Sequence, residues 1–280
     1  MAAITVLAYD VGATWIRAAI YERGNKRAIL KARTPREPRS DSIATTMLSL
    51  ARRLLEGNTR QLSAIGVAIF GPIDYARGAV VNPPNHPAHT IEIRGPLEEE
   101  LQSPVTIVND AVAGAISGSH ATGARDLVYV ALGTGIGVGV IVDGRLLLGR
   151  RGDSHEAGHM VIDYRSRRRC GCGGLGHWEA LFSGSALERY GHAPDGETVV
   201  AAGIASLVAC YDPEIMLLGG GLVEAGLVRA DRVARLVGMY SFQGRRPRIV
   251  RHPLGAEANL YGAYLAASRP TEELLKLNGW

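Results

Sequence analysis

The sequence predicts an α/β protein, and two observations carry that prediction. Short apolar runs of strand length, such as residues 4–9, 62–70 and 127–132, alternate with longer segments whose apolar residues recur at the helical period. Two strand pairs are also joined through turns of glycine and hydroxyl residues, Gly12-Ala13-Thr14 and Gly133-Thr134-Gly135. These suggest one phosphate-gripping hairpin used twice, since glycine permits a tight turn and backbone N–H groups at a hairpin tip can cradle an anion.

In chain order, residues 4–9, 15–21 and 27–33 read as strands, with a turn at Gly24-Asn25. Residues 40–55 read as a helix, with Ser40 or Asp41 as cap and Ile43, Met47, Leu50, Leu54 and Leu55 on one face. A strand over 62–70 ends in Gly71-Pro-Ile-Asp74, and residues 82–87 form a loop by composition. The asparagines of that loop are either turn formers or groups aimed at a polyol. A helix over 91–102 leads to a strand over 105–108 that ends on Asn109-Asp110. A carboxylate there suits proton abstraction, and it equally suits a plain N-cap. Strands over 127–132 and 136–142 flank the second glycine turn, which has neither the lysine of a P-loop nor the helix of a Rossmann turn. Helices over 183–189 and 197–210 precede a strand over 214–218. That strand enters Gly219-Gly220-Gly221, which is either a close-approach site for a ligand or a simple strand-to-helix turn. Helices over 225–237 and 256–267, a strand over 248–250 and a helical turn or two over 272–278 complete the chain.

Composition bounds the answer. The 280 residues allow one large or two medium domains, and a hydrophobic fraction of 46% is enough for packed cores. The net charge is +4, with 28 Arg against 3 Lys. The densest basic cluster, Arg165 with Arg167, Arg168 and Arg169, lies in no nucleic-acid motif and reads as a solvated loop, so no nucleic-acid partner is expected. Three cysteines are too few for a disulfide framework. Cys210, within an apolar run, is expected to be buried. No segment reaches the roughly 18 apolar residues of a membrane span, and no basic leader precedes the first strand. The expectation is a cytoplasmic protein without a membrane partner.

The densest chemistry lies between Glu156 and Glu179. A Glu, a His three residues on, the pair Cys170-Gly-Cys172, His177 and a second Glu together suggest a metal beside a polar pocket.

Taken in order, these turns are Asp10-x-Gly-x-Thr14, Gly71-Pro-x-Asp74, Pro84-Asn85, Asn109-Asp110, Gly133-Thr-Gly-x-Gly137, Glu156-x-Gly-His159, Cys170-x-Cys-Gly-x-x-Gly-x-x-Glu179 and the Gly219 turn. The series resembles the ROK family (repressors, open reading frames and sugar kinases) of the actin-like, hexokinase-like ATPase superfamily, over residues 4–267. The resemblance implies a two-lobed fold, each lobe a mixed sheet flanked by helices, with a cleft for sugar and ATP. The smaller lobe would comprise 1–109 plus about 256–280, and the larger one 110–255. It implies an ATP-dependent hexokinase or glucokinase acting on the 6-hydroxyl, with fructokinase or N-acylmannosamine kinase as alternatives. Another class, a sugar-sensing regulator without catalysis, is disfavoured by the full motif set with Asp110 present.

By the same resemblance, Asp10, Gly12 and Thr14 match the first phosphate motif and Gly133, Thr134 and Gly135 the second. Gly219, Gly220 and Gly221 match the adenosine-side turn. Asn85, Asn109, Asp110, Glu156, His159 and Glu179 match the sugar-binding set, with Asp110 as catalytic base. ATP and Mg2+ are the implied cofactors and a homodimer the implied assembly. The family pattern also implies a zinc site built from the ExGH histidine and three cysteines. Here His177 replaces the third cysteine, so His159, Cys170, Cys172 and His177 are expected to form a Cys2His2 site. A metal-free loop or a Cys170–Cys172 disulfide would be the other states. Ala13 and Trp15 also depart from the usual Gly and Lys, with no loss of phosphate binding expected.

Overall fold

The structure is a computed structural model that describes residues 4–56, 61–84, 86–152, 156–191 and 195–279. The chain forms two compact units. One comprises Met1–Ala113, Leu148–Ser154 and Asn259–Trp280, and the other Gly114–Leu147 and His155–Ala258.

The first unit opens with β1 (Thr5–Val11), β2 (Trp15–Glu22) and β3 (Asn25–Arg33), followed by α1 (Ser42–Leu55) and β4 (Ala64–Ile69). Three short strands, β5 (Ile73–Asp74), β6 (Ala79–Val81) and β7 (Thr90–Glu92), form a small antiparallel sheet. Then come α2 (Arg94–Leu101), β8 (Val105–Asn109) and the start of α3 (Asp110–Thr122). The main sheet has the order β3-β2-β1-β4-β8. β1 to β3 run antiparallel, and β4 and β8 add in parallel. Every residue of β1 is buried, which is why it reads as an unbroken apolar run rather than an alternating one. β3 is the edge, and its exposed Lys26, Arg27, Lys31 and Arg33 discourage pairing with a further strand. α1 lays Ile43, Met47, Leu50 and Leu54 into the core, and the Tyr9 hydroxyl donates to Met47 O at 2.9 Å.

The second unit contains β9 (Leu127–Leu132), β10 (Ile136–Val142), β11 (Arg145–Leu146), α4 (Trp178–Leu181), α5 (Gly184–Tyr190), α6 (Gly196–Tyr211), β12 (Ile215–Gly219), α7 (Gly221–Glu224), α8 (Ala230–Val237) and β13 (Arg248–Arg251). Its sheet order is β11-β10-β9-β12-β13, again with an antiparallel meander followed by two parallel strands. α6 and α8 cover it, with Ile204, Leu207, Val208, Val233 and Val237 in the core. α9 (Ala258–Ser268) and α10 (Glu272–Asn278) return the chain to the first unit.

Several local expectations need correcting. The helix expected over 91–102 starts only at Arg94, because Ile91 pairs with Val80 in the small sheet. The helix expected from 225 starts at Ala230. Gly226, at φ 72°, turns the chain out of α7 first. The β2–β3 hairpin turns on Arg23 and Gly24, both at positive φ, one residue earlier than expected. Asp41 precedes α1 without capping it, since the Arg39 guanidinium holds its carboxylate at 2.8 and 3.0 Å. Cys210 is exposed, because the inward face of α6 is set by Ile204, Leu207 and Val208. Among the described residues no helix is long and apolar enough to cross a membrane.

Candidate functional site

In the first unit, Asp10 lies near the end of β1, directly opposite Arg17 on β2. The Arg17 Nε is 3.6 Å from the Asp10 carboxylate, and the Asn259 side chain donates a hydrogen bond to it. Asp10 is 6% exposed, and burial pushes its carboxyl up to about 6. Arg17 and Asn259 oppose that shift, while the nearby Asp110 carboxylate adds to it. Beyond Asp10 the chain turns at Gly12-Ala13-Thr14. Gly12 N–H donates to Trp15 O at 3.0 Å, and the Thr34 hydroxyl donates to Gly12 O at 2.7 Å, leaving Thr14 exposed at the tip. Trp15 stacks beneath Arg33 and Lys31.

Asn109 ends β8 and Asp110 begins α3. The Ala111 N–H is shared between Asn109 Oδ1 at 2.9 Å and Asp110 Oδ1 at 2.8 Å. Asp110 therefore caps its own helix through Oδ1. Burial raises its carboxyl above the ordinary range, against the pull of the backbone bonds. Asn85 lies outside the described residues. Its neighbour His86 accepts from Ala88 N–H at Nδ1, so Nε2 carries the proton and donates to Pro35 O at 2.8 Å.

In the second unit the two glycine turns lie side by side. Gly133 follows β9 and lies next to the Gly221 N–H, and α5 begins on the first of these turns, with Gly184 N–H donating to Gly133 O and Ser185 N–H to Thr134 O. Gly220, at φ 92°, packs against the Leu132 backbone, where a side chain would find no room. The result is a stretch of closely packed glycine backbone with few side chains.

Against this hairpin sits the acidic and thiol cluster. Glu179, in α4, is buried and accepts from Ile136 N–H at 2.8 Å, on the strand just past Gly135. The Cys170 thiol faces the other oxygen of Glu179 at 3.5 Å and His159 Nδ1 at 3.4 Å. Cys172 Sγ faces His177 Nδ1 at 3.3 Å. Glu156 lies 3.5 Å from the outer nitrogen, Nε2, of His159. Burial, with the Glu179 charge adding to it, pushes the Cys170 thiol up to about 12. The cysteines are free thiols. One donor atom from each of His159, Cys170, Cys172 and His177 lies within 4.8 Å of the others. Gly174 makes room for the imidazole that replaces a thiolate, since a Cβ there would come within 2.2 Å of the His177 ring. The neighbouring arginines are used locally: Arg168 donates to Leu181 O and Arg169 to Gly173 O.

The structure thus gathers Glu156, His159, Cys170, Cys172, His177 and Glu179 around one hairpin of the second unit, and Asp10 with Asp110 in the first. Sequence reading missed Arg17 and Asn259, the partners of Asp10. Arg17 could have been found from the hairpin register. Asn259 follows Asp10 by so long a stretch of chain that no local pattern links them.

Two sheets of one topology, each opening on a glycine–threonine hairpin, define the class of two-lobed α/β proteins with duplicated halves. A model of the ROK family matches residues 6–198, and the chain belongs to that family. It is 33% identical to a glucokinase of Pyrobaculum calidifontis, over 96% of this chain and 97% of that one. Its fold matches a ROK family glucokinase of Streptomyces griseus in complex with glucose and AMPPNP, with TM-score 0.82 and 26% identity over 95% of this chain and 99% of that one. It also matches a ROK hexokinase of Thermus thermophilus, with TM-score 0.77 and 32% identity over 95% and 98%.

Proposed function

We propose that this protein is an ATP-dependent glucokinase that transfers the γ-phosphoryl group to the 6-hydroxyl of glucose. The observation that carries the reading is the pairing of Asp110, a carboxylate of raised proton affinity at a strand end, with family membership along the chain. Asp110 is the base: its carboxylate takes the proton of the attacking hydroxyl. Asn109, held by the Ala111 N–H, and Asn85 serve as hydroxyl partners. Glu156, His159 and Glu179 bind further sugar hydroxyls, and such polar groups disfavour ligands that lack them. The hairpins at Gly12 to Thr14 and Gly133 to Gly135, with the turn Gly219 to Gly221, hold the nucleotide through backbone N–H groups and hydroxyls.

Two metals fit the donor sets. The Asp110 carboxylate lies close enough to Asp10 to raise its proton affinity, an arrangement that a divalent cation relieves, and Asp10 is the residue that would hold Mg2+. Magnesium supplies charge neutralisation of the phosphate oxygens. His159, Cys170, Cys172 and His177 offer two nitrogens and two sulfurs, and their contacts of 3.3 and 3.4 Å suit the edges of a zinc tetrahedron. A zinc held by these four residues would brace the loop and fix the His159 tautomer, while Glu156 engages the outer nitrogen. The reading includes a homodimer, as the family resemblance implies. It also includes a cytoplasmic location, where ATP is available.

An ATP-coupled assay over a panel of hexoses, fructose and N-acylmannosamine tests the activity, and absence of turnover with every sugar would return the chain to the sensor class. Asp110→Ala is expected to lose about 10²–10⁴-fold in turnover while still binding glucose; near-normal turnover would remove Asp110 from the role of base. Metal analysis of the purified protein should find stoichiometric zinc, and an active zinc-free enzyme would refute the four-ligand site.

A further inference from the structure

Asp10 has a partner that neither its own hairpin nor its own sheet supplies. Asn259 is the second residue of α9, and it reaches Asp10 with its side chain. A carboxylate only accepts, so the Asn259 amide must present its N–H2 to Asp10. That fixes the direction of the other end of the amide. Asn259 Oδ1 is buried and accepts no hydrogen bond from any described group. A buried acceptor left unmade is costly, and alanine would be the better helix residue at this position. A purely structural asparagine has no reason to keep that arrangement. Arg17 already offsets part of the Asp10 charge from across the hairpin, so Asn259 is not needed as a counter-charge either.

We propose that Asn259 is a positioning residue of the magnesium site: its N–H2 orients the Asp10 carboxylate, and its Oδ1 accepts a hydrogen bond from a water of the hydrated cation. The inference rests on the reading of Asp10 as the magnesium-side carboxylate. Magnesium dehydrates reluctantly, keeps several waters and takes one or two carboxylates. Its bound waters are strong donors that need acceptors around them. An amide oxygen is such an acceptor, adds no charge to a pocket that already holds two carboxylates, and is aimed by the same planar group that aims Asp10. Groups that orient a ligand in this way contribute measurably to metal affinity.

The test uses the full chain with AMPPNP bound and Mn2+ as the probe. Free Mn2+ is counted by electron paramagnetic resonance in the parent protein, Asn259→Ala, Asn259→Ser and Asp10→Asn. Glucose affinity serves as the control for folding. The expected result is an Mn2+ affinity about tenfold weaker in both Asn259 variants, with unchanged glucose affinity. Turnover of these variants should recover as Mg2+ is raised, which a merely structural defect would not allow. Unchanged Mn2+ affinity in both Asn259 variants, with loss in Asp10→Asn, overturns the role of Asn259 alone. Unchanged affinity in Asp10→Asn overturns the placement of the metal on Asp10, and the proposal with it. Weakened turnover in the Asn259 variants that excess Mg2+ does not restore also counts against it.

Discussion

The two units share one scaffold and put opposite chemistry on it. In each, an antiparallel meander is extended by two parallel strands, so β1, β2, β4 and β8 correspond to β9, β10, β12 and β13. The hairpins can be compared residue by residue. Asp10 pairs with Arg17, one step before the turn-flanking pair Val11–Ile16. At the same step before Leu132–Ile136, the second unit has Ala131 paired with Gly137. The ends of the outer parallel strands differ in the same way. Asp110 follows β8, whereas His252 follows β13, buried and engaged with backbone on both sides. One unit therefore carries buried charge at its strand ends, and the other carries glycine and neutral groups. In the proposed function that charge would serve proton transfer and magnesium, and the bare backbone would serve the nucleotide.

Neutralising the first hairpin should have the largest effect. Asp10→Asn makes it resemble the second, and turnover is expected to fall about a hundred- to a thousandfold. Stability should move the other way. The Asp10 carboxyl is held near 6 in the fold, above its ordinary unfolded value of about 3.9. Between those values the native state binds more protons than the unfolded one. The stabilising contribution is thus present below about 4 and lost as pH rises through about 6. At neutral pH without metal, the buried carboxylate costs the fold on the order of 1–3 kcal/mol. Asp10→Asn should therefore unfold at higher denaturant concentration than the parent at pH 7.5, and at a similar concentration near pH 4. A destabilised variant at pH 7.5 would show that Arg17 and Asn259 more than offset the burial.

A smaller effect separates the turns themselves. A Cβ on Gly135 would lie 2.3 Å from Glu179 Oε2, whereas one on Gly12 would lie 3.4 Å from Trp15 O. Gly135→Ala must push Glu179 off the Ile136 N–H, at an expected cost of about 1–3 kcal/mol and with weaker sugar binding. Gly12→Ala should stay within about 0.5 kcal/mol. Equal losses in the two variants, read from urea unfolding, would mean that Glu179 yields easily and does not fix the second hairpin.

What the sequence revealed divides along the same line. The longer strands and both glycine turns were legible because they are local: an apolar run bounded by glycine needs no distant partner to be read. The cluster from His159 to His177 is compact in sequence as in space. β7 was read as helix because three residues become a strand only through pairing with β6. The outward position of Cys210 depends on which side of α6 meets the sheet. Arg17 and Asn259 carry no motif at all. Their meaning comes from cross-strand register and from a helix that returns to Asp10 at the far end of the chain, and both are properties of packing.

His252 offers the smallest effect. It is 2% exposed, and its Nδ1 accepts from Leu254 N–H at 3.1 Å. Nε2 therefore bears the proton, 3.1 Å from Gly114 O and 3.2 Å from Ser117 Oγ. A second proton would set one N–H against another at Nδ1. Burial holds the ring's proton affinity below the ordinary histidine value, against a smaller opposing pull from Gly114 O. The unfolded chain then takes up a proton at His252 that the fold refuses. Its contribution to stability is complete above about 6.5 and is lost as pH falls below that toward the lowered native value. One group of this kind gives a slope of at most about 1.4 kcal/mol per pH unit. His252→Asn keeps an acceptor for Leu254 and removes the titrating ring. Its stability should accordingly fall less steeply than that of the parent between pH 6.5 and 5.5. Parallel urea-unfolding curves for the two proteins over that interval would show that His252 is protonated in the fold, and that the second unit is not neutral at the strand end where the first places Asp110.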